Sequence, residues 1–372
     1  MSSVNQIYIA VLGAGGVGRH FLSQLSVLSH KFPNISLVLI SRSTKSLRAS
    51  HRTTPLSLET WEKDLNESTS PALTVTQTLK FLGELPDKRV LVDNTSSQDV
   101  ADSYPAFLKQ GISVVTPNKK AFSSTMDLWT SIQESSYRPY APYLSYGLMY
   151  HESSVGAGLP IISTLTDLIA TGDTVRRIEG VFSGTLSYLF NNFAPADGSA
   201  KGGTWSDEVR KAKEAGFTEP DPRDDLNGVD VARKLVILAR MVGVPVEGTG
   251  SFPVQSLIPA ELERVGSAEA FMERLGEFDK RMDEVRNEAV REGKVVRFVG
   301  RVDVEAKALK VGLEKLDKAH PIAGLEGSDN IVSFYTERYV DNPLVVRGAG
   351  AGGAVTAMGV TADLIKVIQR VS

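Results

Sequence analysis

Apolar residues in the first 150 positions cluster in short runs: Ile7 to Leu12, Ser36 to Ile40, Arg89 to Asp93, Ile112 to Val115 and Leu148 to His151. Each run ends in glycine or small polar residues, and the stretch from Val17 to about His30 is compatible with a helix. Mostly unbroken apolar runs of this length predict strands buried on both faces, as in a parallel sheet covered by helices. Residues 46–88 are polar, punctuated by Pro55, Pro71 and Pro86, and predict no regular element.

The pattern changes after the helix that Pro160 opens. Val175 to Val181 predicts a strand, Ser183-Gly-Thr185 a helix start, Pro195 to Gly203 a loop rich in small residues, and Asp207 to Ala215 a charged helix. Ala268 to Arg291 predicts one long outer helix. Val295 to Val304, Leu309 to Leu313 and Ile331 to Tyr335 alternate in places, which predicts an antiparallel sheet. Such a sheet either covers a central helix or extends across a dimer interface. Arg347 to Thr356 is a glycine-rich turn opening a last helix to about Arg370. No internal repeat or low-complexity tract is visible.

That central helix is predicted to start at Asp221, within the stretch Phe217 to Lys234, and to run on past Lys234. Asp221 reads as an N-cap with Pro222 at the first helical position, and Asp224 falls three residues after the cap. At about 100° per residue, Arg223, Asn227, Asp230 and Lys234 line up in a stripe roughly 60° wide that Ile237 and Met241 prolong. Leu226, Val231, Leu235 and Leu238 flank it, and a polar stripe framed by core residues is either buried or lines a cleft. Asp230 and Lys234 are four residues apart and meet. A cleft lysine held by a carboxylate can donate a proton to a forming alkoxide.

Gly13-Ala-Gly-Gly-Val-Gly18 follows the first strand and opens a helix, the arrangement that brings backbone close to a dinucleotide pyrophosphate. The second strand ends in Ser41-Arg42-Ser43-Thr44-Lys45 without an acid, so Arg42 or Lys45 can pair with a 2′-phosphate and NADP is expected over NAD. Asn94-Thr-Ser-Ser97 and Thr116-Pro-Asn-Lys-Lys120 follow later strand ends, where open parallel sheets bind ligands; Thr95 and Lys119 are candidate contacts there. Glu152-Ser-Ser-Val-Gly-Ala-Gly-Leu-Pro160 reads as a tight loop whose carbonyls could converge on a cation with Glu152, although residue types alone favour a hinge. Gly352, in the last glycine-rich turn, is expected to close the nucleotide pocket.

With 372 residues the chain is long enough for two domains. The expected fold class is α/β: a Rossmann-type doubly wound parallel sheet (1–151), a second α+β catalytic and dimerisation domain (152–340), and a C-terminal segment (341–372) returning to the first. A net charge of −3 gives no reason to invoke nucleic acid or an anionic membrane. The absence of cysteine removes disulfides, zinc-thiolate sites and thioester chemistry, and the five histidines lack metal-ligand spacing. The start, Met-Ser-Ser-Val-Asn-Gln, lacks a basic signal-peptide region, and a cytoplasmic location is expected.

Taken together, Asp93-Asn-Thr-Ser-Ser97, Thr116 to Lys120, Glu152 to Pro160, Ser183-Gly-Thr185, Phe217 to Lys234 and Gly348 to Thr356 resemble homoserine dehydrogenase in its short monofunctional form. The resemblance implies interconversion of L-aspartate 4-semialdehyde and L-homoserine with NADP or NAD, in threonine and methionine biosynthesis. It implies Lys234 as the catalytic lysine with Asp230 as partner, and Glu219, Asp225, Thr185 and Lys119 on the substrate side. The cofactor side comprises Gly13, Gly15, Gly16, Val17, Gly18, Arg42, Thr95, Ser96, Lys119, Gly216 and Gly352. The family's monovalent cation, sodium, would fall at Glu152, Val155, Ala157 and Leu159, and a homodimer through the second domain is implied. Phe217 stands where the family often has tyrosine. Phosphorylating semialdehyde dehydrogenases are excluded for want of cysteine; oxidative deamination and a dinucleotide sensor without catalysis remain rivals on residue types alone.

Overall fold

The computed structural model describes residues 5–50, 54–137, 145–197 and 203–371. Residues 1–4, and residues 198–202 of the loop expected over Pro195 to Gly203, lie outside that description. Packing divides the chain into Met1–Pro160 with Ala351–Ser372, and Ile161–Gly350. Where the sequence reading placed boundaries after 151 and 340, the structure keeps the Glu152 loop in the first unit and extends the second to Gly350. Among the described residues no helix is long and apolar enough to cross a membrane.

The first unit contains β1 (Ile7–Leu12), α1 (Gly16–Ser29), β2 (Ile35–Ser41), β3 (Ser46–Arg48), α2 (Trp61–Glu67), α3 (Val75–Gly83), β4 (Lys88–Asp93), α4 (Gln98–Asp102), α5 (Tyr104–Lys109), β5 (Ile112–Val115), α6 (Lys120–Ser123), α7 (Met126–Ser135) and β6 (Met149–Tyr150). Its sheet runs β3-β2-β1-β4-β5-β6, parallel except for β3, which is antiparallel to β2. Strand order reverses at β1, which places a ligand crevice at that strand's carboxyl end. Ile7, Ile9 and Val11 are wholly buried with Phe21, Leu22 and Leu25 of α1, which explains the unbroken apolar runs.

The supposedly irregular stretch 46–88 holds β3, α2 and α3. Each is too short to display a period, yet α3 has a capping box: Thr74 Oγ1 accepts from Gln77 N at 3.2 Å, and Gln77 Oε1 from Thr74 N at 2.9 Å.

The second unit contains α8 (Ile161–Ala170), β7 (Val175–Val181), α9 (Gly184–Phe193), α10 (Trp205–Glu214), α11 (Arg223–Leu226), α12 (Val229–Met241), α13 (Ala268–Arg274), α14 (Asp279–Arg291), β8 (Lys294–Asp303), β9 (Ala308–Asp317), β10 (Asp329–Thr336) and β11 (Leu344–Ala349). Its antiparallel sheet runs β11-β10-β7-β8-β9. The sheet covers α12. A Cβ on Gly300 of β8 would lie 3.1 Å from Leu235 of α12 and 3.0 Å from Phe182, so only glycine permits this approach.

Glu179 of β7 is buried in that sheet, with Tyr335 Oη at 2.9 Å, His320 Nε2 at 3.3 Å, Arg301 at 3.2 Å and Arg177 at 3.4 Å. Burial alone would raise its pKa. Hydrogen bonds from His320 and Tyr335 and the charges of Arg177 and Arg301 bring it instead to about 2.

Three expectations need correction. The helix expected from Asp221 onward breaks at Gly228, which adopts φ +73° between α11 and α12. The long helix Ala268 to Arg291 is interrupted by a 3₁₀ turn at Leu275–Phe278; Asp279 then opens α14 and accepts from Ser206 N at 2.8 Å and Ser206 Oγ at 2.7 Å. Arg347 to Ala349 belongs to a strand, β11, paired to β10, so the glycine turn is confined to the residues after it.

The last helix, α15 (Gly353–Val371), belongs to the first unit. It packs on α1: Gln24 Nε2 donates to Ala354 O at 3.2 Å, and Thr361 Oγ1 donates to Gln24 Oε1 at 2.7 Å. Its Leu364, Val367 and Ile368 complete the core beside β1.

Candidate active site

The break at Gly228 positions the central pair. Asn227 Oδ1 accepts the Val229 N–H at 2.8 Å, and a Cβ on Gly228 would lie 3.1 Å from the Phe298 ring and 3.2 Å from the Gln255 carbonyl. Helix α12 therefore starts afresh. Asp230 occupies its first turn, where the helix dipole favours a carboxylate. One turn later Lys234 Nζ lies 2.7 Å from Asp230 Oδ2 and donates to the Phe182 carbonyl at 2.6 Å. The lysine side chain is 8% exposed and the aspartate 46%, so a buried ammonium is held by a carboxylate open to solvent. Burying an ammonium costs free energy unless it is paired and hydrogen-bonded, and both conditions are met here.

Arg223 leaves the expected stripe. Because α11 and α12 are separate, its guanidinium turns to Asp221 (2.6 Å) and to the Val265 carbonyl (2.7 Å).

Thr185, Asp225 and Glu219 come together in the same unit. Thr185 lies in the first turn of α9, which the Ser183 side chain caps through Leu186 N. Its hydroxyl lies 2.9 Å from Asp225 Oδ1 and 2.6 Å from the Phe217 carbonyl, and Asp225 Oδ2 accepts the Glu219 N–H at 2.8 Å. Burial raises the Asp225 pKa; hydrogen bonds from Glu219 N and Thr185 oppose it, and the charges of Glu219 and Asp230 add to it. Phe217 stacks on Tyr188 at 4.3 Å and 20°, so its ring fixes the loop that presents Glu219. Gly216 ends α10 in the left-handed region at φ +74°.

In the first unit the glycine loop has the close contacts that its spacing requires. Gly13 is at φ +86°, and a Cβ on Gly18 would lie 2.0 Å from the Gly13 carbonyl oxygen. Around Gly15 and Gly16 the space where a Cβ would project is open, and α1 begins there, with Val17 and Gly18 in its first turn and no side-chain cap. The buried side-chain amide of Asn94 lies near Gly18 and makes no hydrogen bond among the described residues. Uncapped N–H groups, open space and an orphaned amide fit a dinucleotide pyrophosphate. The adjoining depression is lined by Gly13, Ala14, Gly15, Gly16, Arg19, Arg42 and Ser43.

Behind it, Asp93 at the end of β4 is wholly buried. It accepts from Thr95 N at 2.8 Å, from the Tyr104 hydroxyl, and from Asn118 Nδ2 at 3.1 Å. Burial raises its pKa and those hydrogen bonds offset part of the rise. This network ties the turn carrying Thr95 and the exposed Ser96 to the turn carrying Lys119, whose carbonyl accepts from Phe122 N and Ser123 N to begin α6. The sequence reading missed Tyr104 and Asn118 as positioning groups, and Phe182 as the second anchor of Lys234; only the location of Asn118 and Phe182 just past strand ends could have signalled them.

The Glu152 loop is an ordered part of the first unit. Glu152 N donates to Asp363 Oδ2 at 2.7 Å, Ser153 Oγ donates to the Thr356 carbonyl at 2.9 Å, and a Cβ on Gly158 would lie 2.6 Å from the Val355 carbonyl. Gly156 and Ala157 are both left-handed, at φ +78° and +55°, and Leu159 N closes the turn on Gly156 O at 2.9 Å. Val155 is wholly buried. The Lys366 ammonium lies 3.6 Å from Glu152 Oε2 and 2.9 Å from Asp363 Oδ1; burial nonetheless pushes Asp363 up to about 6. Gly352, at φ +112°, precedes α15 in the same unit.

Sequence comparison matches residues 160–365 to the family described as Homoserine dehydrogenase, and residues 13–140 to Homoserine dehydrogenase, NAD binding domain. The homoserine dehydrogenase of Paracoccidioides brasiliensis is 55% identical, with 98% of each chain covered. That of Saccharomyces cerevisiae is 49% identical, with 99% of each covered. A Candida auris crystal structure of unknown function is 43% identical and superposes with TM-score 0.91 over 99% of each chain. A hyperthermophilic archaeal homoserine dehydrogenase in complex with NADPH, 23% identical with TM-score 0.70 over 98% of each chain, shares the fold.

Proposed function

Because the chain belongs to the homoserine dehydrogenase family, we propose that Lys234 is the proton donor of its reaction. That reaction interconverts L-homoserine and L-aspartate 4-semialdehyde with NAD(P), in the biosynthesis of threonine and methionine. When bound, the reduced cofactor contributes hydride for the semialdehyde carbonyl carbon. The carbonyl oxygen then gains negative charge, which the Lys234 ammonium stabilises before giving up a proton from Nζ. Asp230 and the Phe182 carbonyl hold that ammonium in place. In the oxidative direction the neutral amine takes the alcohol proton back.

The observation that carries this reading is the anchoring of a buried Lys234 between one carboxylate and one carbonyl. Glu219 and Asp225 supply anionic partners for the substrate's α-ammonium, and Thr185 orients Asp225. Lys119, beside the cofactor turns, serves the cofactor and substrate sides. Arg42 donates to the Ala14 carbonyl at 3.2 Å beside the glycine loop, which supports a role on the 2′-phosphate and a preference for NADP.

Sodium is assigned to Glu152 with the carbonyls of Val155, Ala157 and Leu159, hard oxygen donors in a loop fixed to α15. Lys366 competes with it for Glu152. A homodimer forms through the second unit, whose sheet ends in the edge strand β11 with Val345 exposed. Light scattering should then give twice the 40.2 kDa chain mass.

The decisive test follows NADPH absorbance with L-aspartate 4-semialdehyde. Lys234→Ala should lose roughly 10²-fold or more in turnover, as expected for loss of a general acid, with NADPH binding intact. Near-normal turnover in that variant removes the assignment.

A further inference from the structure

The end of β2 has no acid, yet the structure brings one to the same place from elsewhere. Glu62, in the first turn of α2, puts Oε1 2.8 Å from Arg19 Nη2 and 3.3 Å from Arg42 Nη2. Both arginines line the depression at the glycine loop. Helix α2 is held there by two further contacts: Arg42 Nη1 donates to Asn66 Oδ1 at 2.9 Å, and Lys45 Nζ donates to the Asn66 carbonyl at 2.8 Å. Two guanidinium groups thus converge on one carboxylate oxygen supplied by the chain itself.

We propose that Glu62 is the residue that sets the balance between NADP and NAD, as an internal anion occupying the two-arginine site that a 2′-phosphate would use. The proposal rests on the reading of Arg42 as a 2′-phosphate contact. A phosphate monoester carries close to two negative charges and three acceptor oxygens, so it competes with Glu62 for Arg19 and Arg42. Exposed ion pairs between flexible side chains are weak, and here Arg19 is 56% and Glu62 43% exposed, so the carboxylate can be displaced. The displaced carboxylate still repels the phosphate. With NAD there is no phosphate, and Glu62 can accept the ribose 2′-hydroxyl as an acid at the end of β2 otherwise would. The result is a protein that accepts both cofactors with a narrower preference for NADP than its two arginines alone would give.

Calorimetric titration of the full chain with 2′,5′-ADP and with NAD⁺ tests this without reference to turnover. Glu62→Gln, an exposed isosteric change, should tighten 2′,5′-ADP by about 5-fold and weaken NAD⁺ by about 2-fold, the combined shift being near 10-fold and shrinking at high salt. A ratio of the two affinities unchanged within about 2-fold overturns the proposal. Arg42→Gln separates the two levels of the argument. If Arg42→Gln weakens 2′,5′-ADP while Glu62→Gln shifts nothing, the NADP reading stands and only the role of Glu62 falls. If Arg42→Gln leaves 2′,5′-ADP binding unchanged, the reading falls and the role of Glu62 with it.

Discussion

Asp225 shows how a single side chain can be tuned by neighbours that never meet the substrate. Burial and the charges of Glu219 and Asp230 raise its pKa, and Thr185 and the Glu219 N–H hold part of the rise back. If its carboxylate binds the substrate ammonium, affinity is fully present above the raised pKa and lost as pH falls through it. The acidic limb of kcat/KM should therefore lie at higher pH than an ordinary aspartate would set. Thr185→Val removes an opposing hydrogen bond and should move that limb to still higher pH; a limb that stays put would show that another group controls it. Phe217 carries no hydroxyl, and stacking on Tyr188 alone fixes the ring. Hydrogen-bonding contact and packing contact are separable at this position.

At the scale of elements, Gly228 matters more than its missing side chain suggests. Replacement by alanine forces a Cβ into the left-handed region and against Phe298, costing roughly 1–2 kcal/mol. It also rotates the start of α12, so Gly228→Ala should lower both the melting temperature and turnover; a normal melting temperature would show that the turn relaxes freely. This glycine explains what the sequence showed and hid. Leu226, Val231, Leu235 and Leu238 read correctly as core, and Asp230 and Lys234 as an i,i+4 contact, because those patterns are local to one turn or two. The break was signalled by Asn227-Gly228, a dipeptide that marks turns, but the apolar period that continues on both sides of it outweighed that signal. Likewise Glu62 and Asn66 reach Arg42 from a segment without period, and Tyr104 reaches Asp93 from the start of α5. Glu179 carries the matching lesson for β7. Its depressed pKa means stability that is present above about 4.5 and lost as pH falls toward about 2. The second unit should melt at progressively lower temperature through that window, and Glu179→Gln should flatten the dependence; an unchanged slope would place the acid sensitivity elsewhere.

Across the whole molecule, the first unit is built from the two ends of the chain. Asn5 Nδ2 donates to the Val371 carbonyl at 3.2 Å, and α15 supplies core residues beside β1 as well as the Asp363 and Lys366 that hold the Glu152 loop. Removing Gly353–Val371 should abolish NADPH binding measured by calorimetry and expose apolar surface to a fluorescent dye; retention of binding would make α15 a cover and not a structural member. The second unit is continuous, from Ile161 to Gly350. During synthesis the ribosome therefore releases β1 to β6 first, then the entire second unit, and only then the helix that completes the first core. Chain elongation at about 5–20 residues per second leaves the parallel sheet waiting, with its α15 face uncovered, for on the order of ten seconds or more. A nascent chain in that interval is a substrate for chaperones that hold apolar surface, and a slowed codon anywhere between those for Ile161 and Gly350 would lengthen its exposure without altering one residue of the protein.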